Sequence, residues 1–325
     1  MKKALLYSIF ALGIASTTLT SCEDIFGGFL DKQPSNELTG EQVFSDWNLT
    51  VQFHLDTYNF LRHGAGRIST TWLDAATDLA ETSYGNGVRT SFNIGNFYGG
   101  SGASELVDTW EHYYRGIRKC NMLLTRIEEV PQNPAVSEDK YNRDKKNYIA
   151  EARFLRAYFY WELFLRYGPI PIVKEVLDPN GDLMSKYTTR PTTKEYVVDF
   201  ILEELKSCEG NLLDYETAWK SSSAGRIGQP MACALRSRIM LFMASPRYSS
   251  ESGITWQQAA DVAKEFIDTY RANFALFNAK DATGATLGIE NYTNALLRTA
   301  YQGSNKEVIF YRNDDKQNWG NIKND

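Results

Sequence analysis

Histidine is scarce: His54, His63 and His112 are the only three in 325 residues, and they form neither a His-Glu-x-x-His helix nor any close ligand set. The commonest metal-hydrolase patterns are thereby removed. Cysteine is almost as sparse. Cys120, Cys208 and Cys233 form an odd set lying within helical patterns, with no pair at zinc spacing. Neither a disulfide framework nor a metal site is expected, and all three read as small buried apolar residues. No Gly-x-Ser-x-Gly elbow occurs, and Gly99-Gly100-Ser101-Gly102 follows no strand pattern, so it does not read as a phosphate loop. Asp74, Asp78 and Glu81 share one helical face, whereas glycosidase carboxylates must straddle a sugar from opposite sides; the three read as solvated surface. No catalytic residues and no cofactor are indicated. Positive charge is also limited: the net charge is −5 and Lys and Arg are spread through the chain, which excludes the basic stripe that nucleic acid needs.

What is present begins at the N-terminus. Lys2 and Lys3 precede an apolar run from Ala4 to Ala15, followed by small and hydroxyl residues and then Leu19-Thr20-Ser21-Cys22. The run is too short to span a bilayer, and no later stretch approaches the roughly 20 apolar residues of a span. The pattern is that of a secretory signal ending in a lipobox, with Cys22 as the lipidation site. Acyl chains on Cys22 contribute about 0.8 kcal/mol per buried methylene, so several of them anchor a protein without spanning the membrane. The expected organisation is a signal peptide over 1–21, a lipidated tether over 22–38 and a helical domain over 39–325.

The most apolar stretch of the remainder is Asn147–Val173, which reads as one long helix. Ala150, Phe154, Ala157, Tyr158, Trp161, Phe164 and Leu165 form a buried stripe, and Glu151, Glu162 and Arg166 are expected on the opposite side. Leu155, Phe159, Tyr160, Leu163 and Tyr167 extend the apolar surface, so this helix needs neighbours on more than one side. Gly168, Pro169 and Pro171 end it. Thr39 with Gln42 opens a first helix through Phe44, Trp47, Val51, Leu55 and Tyr58, and Trp72–Ala80 reads as a short one. A second strong helix covers about Leu106–Val130, with Trp110, Tyr114, Ile117, Cys120, Leu123 and Ile127 inward and Asn121 beside them, bonding to a neighbour. Ser137 caps the long helix, which makes an antiparallel pair. Capping boxes at Thr192/Glu195 and Thr255/Gln258 open later helices, Pro230 sits early in another, and Glu307–Tyr311 looks like a short strand. The fold class is all-α dominated: a tetratricopeptide-like scaffold of helix pairs with long irregular loops and a few short strands.

The lipobox with LDKQP after it, WEHYYRGIRKCN, AEARFLRAYFYWELFLRYGPIPIV, RPTTKEYVVDFILEEL, GRIGQPMACALRSRIMLFMASP and WQQAADVAKEFID together resemble the SusD/RagB family of outer-membrane lipoproteins. The resemblance implies a non-enzymatic receptor, lipid-anchored in the outer membrane and facing the cell exterior. It would bind oligosaccharide, or in some members peptide, and deliver it to a SusC-like TonB-dependent transporter. A helical scaffold that only docks proteins is the plainer alternative. Members of the family usually continue past EVIFYR into a C-terminal half that helps build the binding surface; this chain stops at Asp325, which implies a truncated or partial member.

Ligand binding calls for flat rings and planar polar groups on loops. The loop from Thr82 to Gly100 offers Tyr84, Asn86, Arg89, Phe92, Asn96 and Tyr98, the residue types that give large contact area at low entropy cost. Trp72 precedes it, and Asn313, Asn318 and Trp319 form a second cluster. An aromatic folded onto its own scaffold accounts for any one of these alone; their concentration in one loop is what points to binding.

Overall fold

The computed structural model describes residues 39–62, 104–178, 180–220, 225–277 and 306–311, with short pieces at 75, 77–80, 93–95, 223, 283–285 and 288. Among these residues the regular structure is helical, with one isolated bridge between Leu213 and Gly228 and no strand. The segment Glu307–Tyr311, expected to be a strand, has no ladder partner among the described residues and runs as turn, bend and irregular chain.

Two compact units divide the chain after Val43. In the first, the described residues open helix α1 (Gly40–Phe44) with the expected capping box, the Thr39 amide donating to Gln42 Oε1 at 2.8 Å and the Gln42 amide to Thr39 Oγ1 at 3.3 Å. The second unit, Phe44–Asp325, begins a new helix, α2 (Trp47–Asp56). Asp46 caps it, accepting from the Leu49 amide at 2.9 Å, so the single helix expected through Tyr58 is broken before Trp47. The inward face is also shifted: His54 is buried and Leu55 exposed. Of the expected helix over Trp72–Ala80, Ala75 lies in a 3₁₀ turn, and Thr77–Leu79 make a turn closed by the Leu79 amide donating to Thr77 Oγ1.

Helices α3 (Ser104–Arg126) and α4 (Glu138–Tyr167) form the central pair. Contacts run in opposite senses along the two chains, Tyr141 to Val130, Arg156 to Asn121 and Phe159 to Tyr113, so the pair is antiparallel as expected. The two approach so closely at Gly116 that a Cβ there would lie 2.7 Å from the Phe159 ring. Ser137 caps α4, and Gly168, at φ 67°, ends it in a backbone conformation that other residues rarely adopt.

Between Ala150 and Phe164 almost every side chain of α4 is buried, which makes this helix the centre of the core. Three expectations fail along this pair, the first being that Leu165, expected in the buried stripe, is exposed. Glu151 and Glu162 do not face water; both are buried, and both are satisfied by cations, Arg226 for the first and Arg166 for the second. On α3 the inner face is rotated at its start, so that Tyr113 is fully buried while Trp110 is 41% exposed. Further along, Ile117, Cys120, Leu123 and Ile127 are buried as expected, and Asn121 donates to the Val173 and Glu175 carbonyls at 3.0 Å each.

After the short α5 (Leu183–Lys186), residues Lys194–Leu202 wind with the wider π repeat and continue as α6 (Glu203–Glu209). The Thr192–Glu195 capping box precedes them, the Thr192 amide donating to Glu195 at 2.7 Å. This segment lies antiparallel to α4, with Arg153 reaching Ser207, Arg156 reaching Glu204 and Tyr160 stacked edge-on against Phe200. Then come α7 (Tyr215–Ala218), α8 (Gln229–Met243) with Pro230 in its first turn, α9 (Ser249–Ser252) and α10 (Trp256–Tyr270) behind the Thr255–Gln258 capping box. Arg236 of α8 bridges Glu209 of α6 and Glu265 of α10. Each helix thus covers the open side of the one before, the stacking logic of tetratricopeptide scaffolds. Cys120, Cys208 and Cys233 are free and buried, and burial pushes the first two thiols up to about 12. No described helix is long and apolar enough to cross a membrane.

Candidate functional site

The described part of the molecule gathers aromatic rings where α7, the start of α8 and the segment 309–311 meet. Asp214 caps α7 by accepting from the Thr217 amide at 2.7 Å, and the turn it sets points Tyr215 and Trp219 to the same side, four residues apart. Tyr215 meets Phe274 edge-on at 5.3 Å, and Trp219 meets Tyr311 at 5.6 Å with the rings tilted by 47°. Between Trp219, Tyr311, Met231 and Arg226 lies a cleft whose enclosed part is only about 20 Å³. That is room for about one water molecule, so anything larger would have to lie across the rings, not within a socket.

Arg226 is held from behind. Its Nε donates to Glu151 Oε1 at 2.9 Å and a second guanidinium nitrogen binds the same oxygen, while the guanidinium sits 4.8 Å over the Tyr148 ring. The other oxygen, Oε2, accepts from His54 Nε2 and from the Tyr58 hydroxyl, each at 2.8 Å. Tyr58 in turn accepts from the Ile227 amide at 3.1 Å. Burial would raise the Glu151 carboxyl, but the Arg226 charge and the bonds from His54 and Arg226 outweigh it and hold the group below its ordinary value. Glu151 is therefore ionised, and a fixed arginine faces the cleft with Nη1 making no hydrogen bond among the described residues. Rings to lie against a sugar face and a rigid donor for its hydroxyls are the elements of a glycan-binding surface.

A second polar cluster does not hold a metal. Ligand atoms of Glu209, Cys233 and Glu265 lie within 4.8 Å of one another, yet Arg236 stands among them, donating to Glu209 at 3.1 Å and Glu265 at 2.9 Å. The guanidinium takes the place a cation would take, and burial keeps the Cys233 thiol neutral by pushing it up to about 11.

The residues expected from sequence to bind ligand, Trp72, Tyr84, Asn86, Arg89, Phe92, Asn96, Tyr98, Asn313, Asn318 and Trp319, lie outside the described residues, as does Cys22. Of the loop itself Asn93 is placed, donating to the Ala75 carbonyl at 3.1 Å. Trp219, Tyr215 and Tyr311 were not singled out in the sequence. Two rings four residues apart, followed by Ser221-Ser222-Ser223 and Gly225, were the available signal; nothing in the sequence set Arg226 apart.

A family profile described as SusD-like, "starch-binding associating with outer membrane", matches residues 28–241. The chain belongs to the SusD-like family. This family consists of binding proteins, not enzymes. Among solved structures, a SusD-like protein from Bacteroides fragilis is 24% identical with a TM-score of 0.57, over 87% of this chain and 48% of that one. A laminarin-binding SusD-like protein is 20% identical with a TM-score of 0.56, over 80% and 50% of the two chains. A SusD-like carbohydrate-binding protein from Bacteroides fragilis is 19% identical with a TM-score of 0.54, over 72% and 42%. At these identities the likeness is one of fold, and this SusD-like chain spans about half the length of the solved structures it matches. No curated protein matches it.

Proposed function

We propose that this SusD-like protein is a cell-surface lipoprotein that binds oligosaccharide and passes it to a SusC-like TonB-dependent transporter in the outer membrane. The observation that carries the binding half of this reading is the ring pair Trp219–Tyr311 beside an arginine locked by a buried glutamate. Support for the outer-membrane setting comes from the family, and support for the anchor from the lipobox at Cys22, with a signal peptide over 1–21 and a tether over 22–38. The loop residues Tyr84 to Tyr98, with Trp72, Asn318 and Trp319, are proposed as further ligand contacts on the same domain.

The test is titration of the protein with neutral glucan oligosaccharides and with a peptide panel, comparing the parent with Trp219→Ala. Saturable glucan binding weakened by about tenfold or more, the loss expected when one stacking ring goes, supports the reading. Peptide binding alone, or glucan binding indifferent to Trp219→Ala, counts against it. For the anchor, Cys22→Ser releases the protein from the membrane fraction, and retention there would refute lipidation.

A further inference from the structure

The first turns of α4 carry Lys140, Arg143, Lys145 and Lys146 close together. Lys140 pairs with Asp144, and Lys145 with Glu128 at 2.8 Å. Arg143 and Lys146, by contrast, make no ion pair or hydrogen bond among the described residues, and both are exposed. Three positions apart, they lie on one helical face.

That face lines a groove of about 390 Å³ between α4 and the turn at Gly210–Leu212 that follows α6. The volume is within the range of small-ligand sites, roughly 300–1,000 Å³. Asn147 holds the two walls together, its Nδ2 donating to the Asn211 carbonyl at 2.5 Å. The carboxamides of Asn142 and Asn211 also line the groove and have no hydrogen-bond partner among the described residues. Asp139 adds one carboxylate, so the described walls carry two cations against one anion.

We infer that this groove is a second binding site, distinct from the aromatic cleft, for an anionic, hydroxyl-rich sugar of the uronate type. Among the described residues no aromatic ring lines the groove, so they offer no platform for stacking a neutral sugar. They offer instead a fork-shaped guanidinium and an ammonium for a carboxylate, and carboxamides and the Asp139 carboxylate for hydroxyls.

The probe is trigalacturonate, titrated calorimetrically into the full-length protein in detergent at low salt, with its methyl ester as the uncharged control. Trigalacturonate is expected to bind and to weaken as salt rises. The ester, and separately the double variant Arg143→Ala/Lys146→Ala, should each weaken binding by about tenfold or more, the scale of one lost charge-assisted hydrogen bond. Trp219→Ala should leave uronate binding unchanged, and the double variant should leave neutral glucan binding unchanged, so that failure of this site and failure of the aromatic one are told apart. Both substituted side chains are exposed, and an unaltered melting temperature confirms folding. The inference is overturned if trigalacturonate does not bind, if the ester binds equally well, or if the double variant binds as the parent does.

Discussion

Glu151 and Glu209 are both drawn out of water beside an arginine, and burial pushes both carboxyls up, yet they end on opposite sides of their ordinary value. Glu151 has Arg226 to itself, with His54 and Tyr58 donating to its second oxygen, and is held low. Glu209 shares Arg236 with Glu265, whose charge also repels it, and stays high. The difference teaches that an acid–arginine contact is judged by who else claims the arginine. Nearly the same pair of side chains makes a structural anchor at one place and a strained compromise at the other.

The sharpest way to break the comparison is Glu151→Ala. It leaves Arg226 largely buried without its counter-charge and should cost about 3–5 kcal/mol, read by urea denaturation. A cost below about 1 kcal/mol, the scale of an ordinary surface pair, would deny the hub its role. The acid limb of stability comes next. A carboxyl held below its ordinary value, here 4.5, stabilises the fold above that pH, and the contribution is lost as pH falls through the depressed value. Glu209, held high, acts with the opposite sign: its contribution is present below 4.5 and lost as pH rises through its raised value. Melting temperatures between about pH 3 and pH 7 should therefore fall less steeply toward acid in Glu151→Gln than in the parent, and more steeply in Glu209→Gln. Parallel curves for all three proteins would contradict the assignment. At neutral pH, Glu209→Gln should change stability by no more than about 1 kcal/mol, since Arg236 keeps Glu265. Smallest of all, breaking the exposed Lys264–Asp268 pair with Lys264→Ala should leave the melting temperature where it was.

Much of this fold was legible in the sequence because it is written in local chemistry. The capping boxes at Thr39, Thr192 and Thr255, the stop at Gly168 and the apolar helix before it all depend on neighbours within a few residues. What escaped depends on distant ones. Glu151 and Glu162 read as a solvent face by periodicity, and only the arrival of Arg226 and Arg166 makes their burial tolerable. Trp110 and Tyr113 exchanged places because the rotation of α3 is fixed by its contacts with α4, which spacing along α3 cannot report. The same holds for the aromatic cleft. Trp219 and Tyr311 are far apart in the chain, and no sequence window contains both. The hydrophobic pattern at Glu307–Tyr311 suited a strand, but a strand needs a partner edge, and the described residues offer none.

The hub at Glu151 also ties together distant stretches of the chain. Two of its partners, His54 and Tyr58, precede it by 97 and 93 residues, whereas Arg226 follows it by 75. The acid, the imidazole and the phenol thus all precede in the chain the arginine that, among the described residues, pairs with the acid. Without Arg226, Glu151 can enter the core only as a stranded carboxylate or by taking up a proton. The turn before α8 and the helices that precede it are therefore expected to dock together, since each leaves a buried charge unpaired without the other.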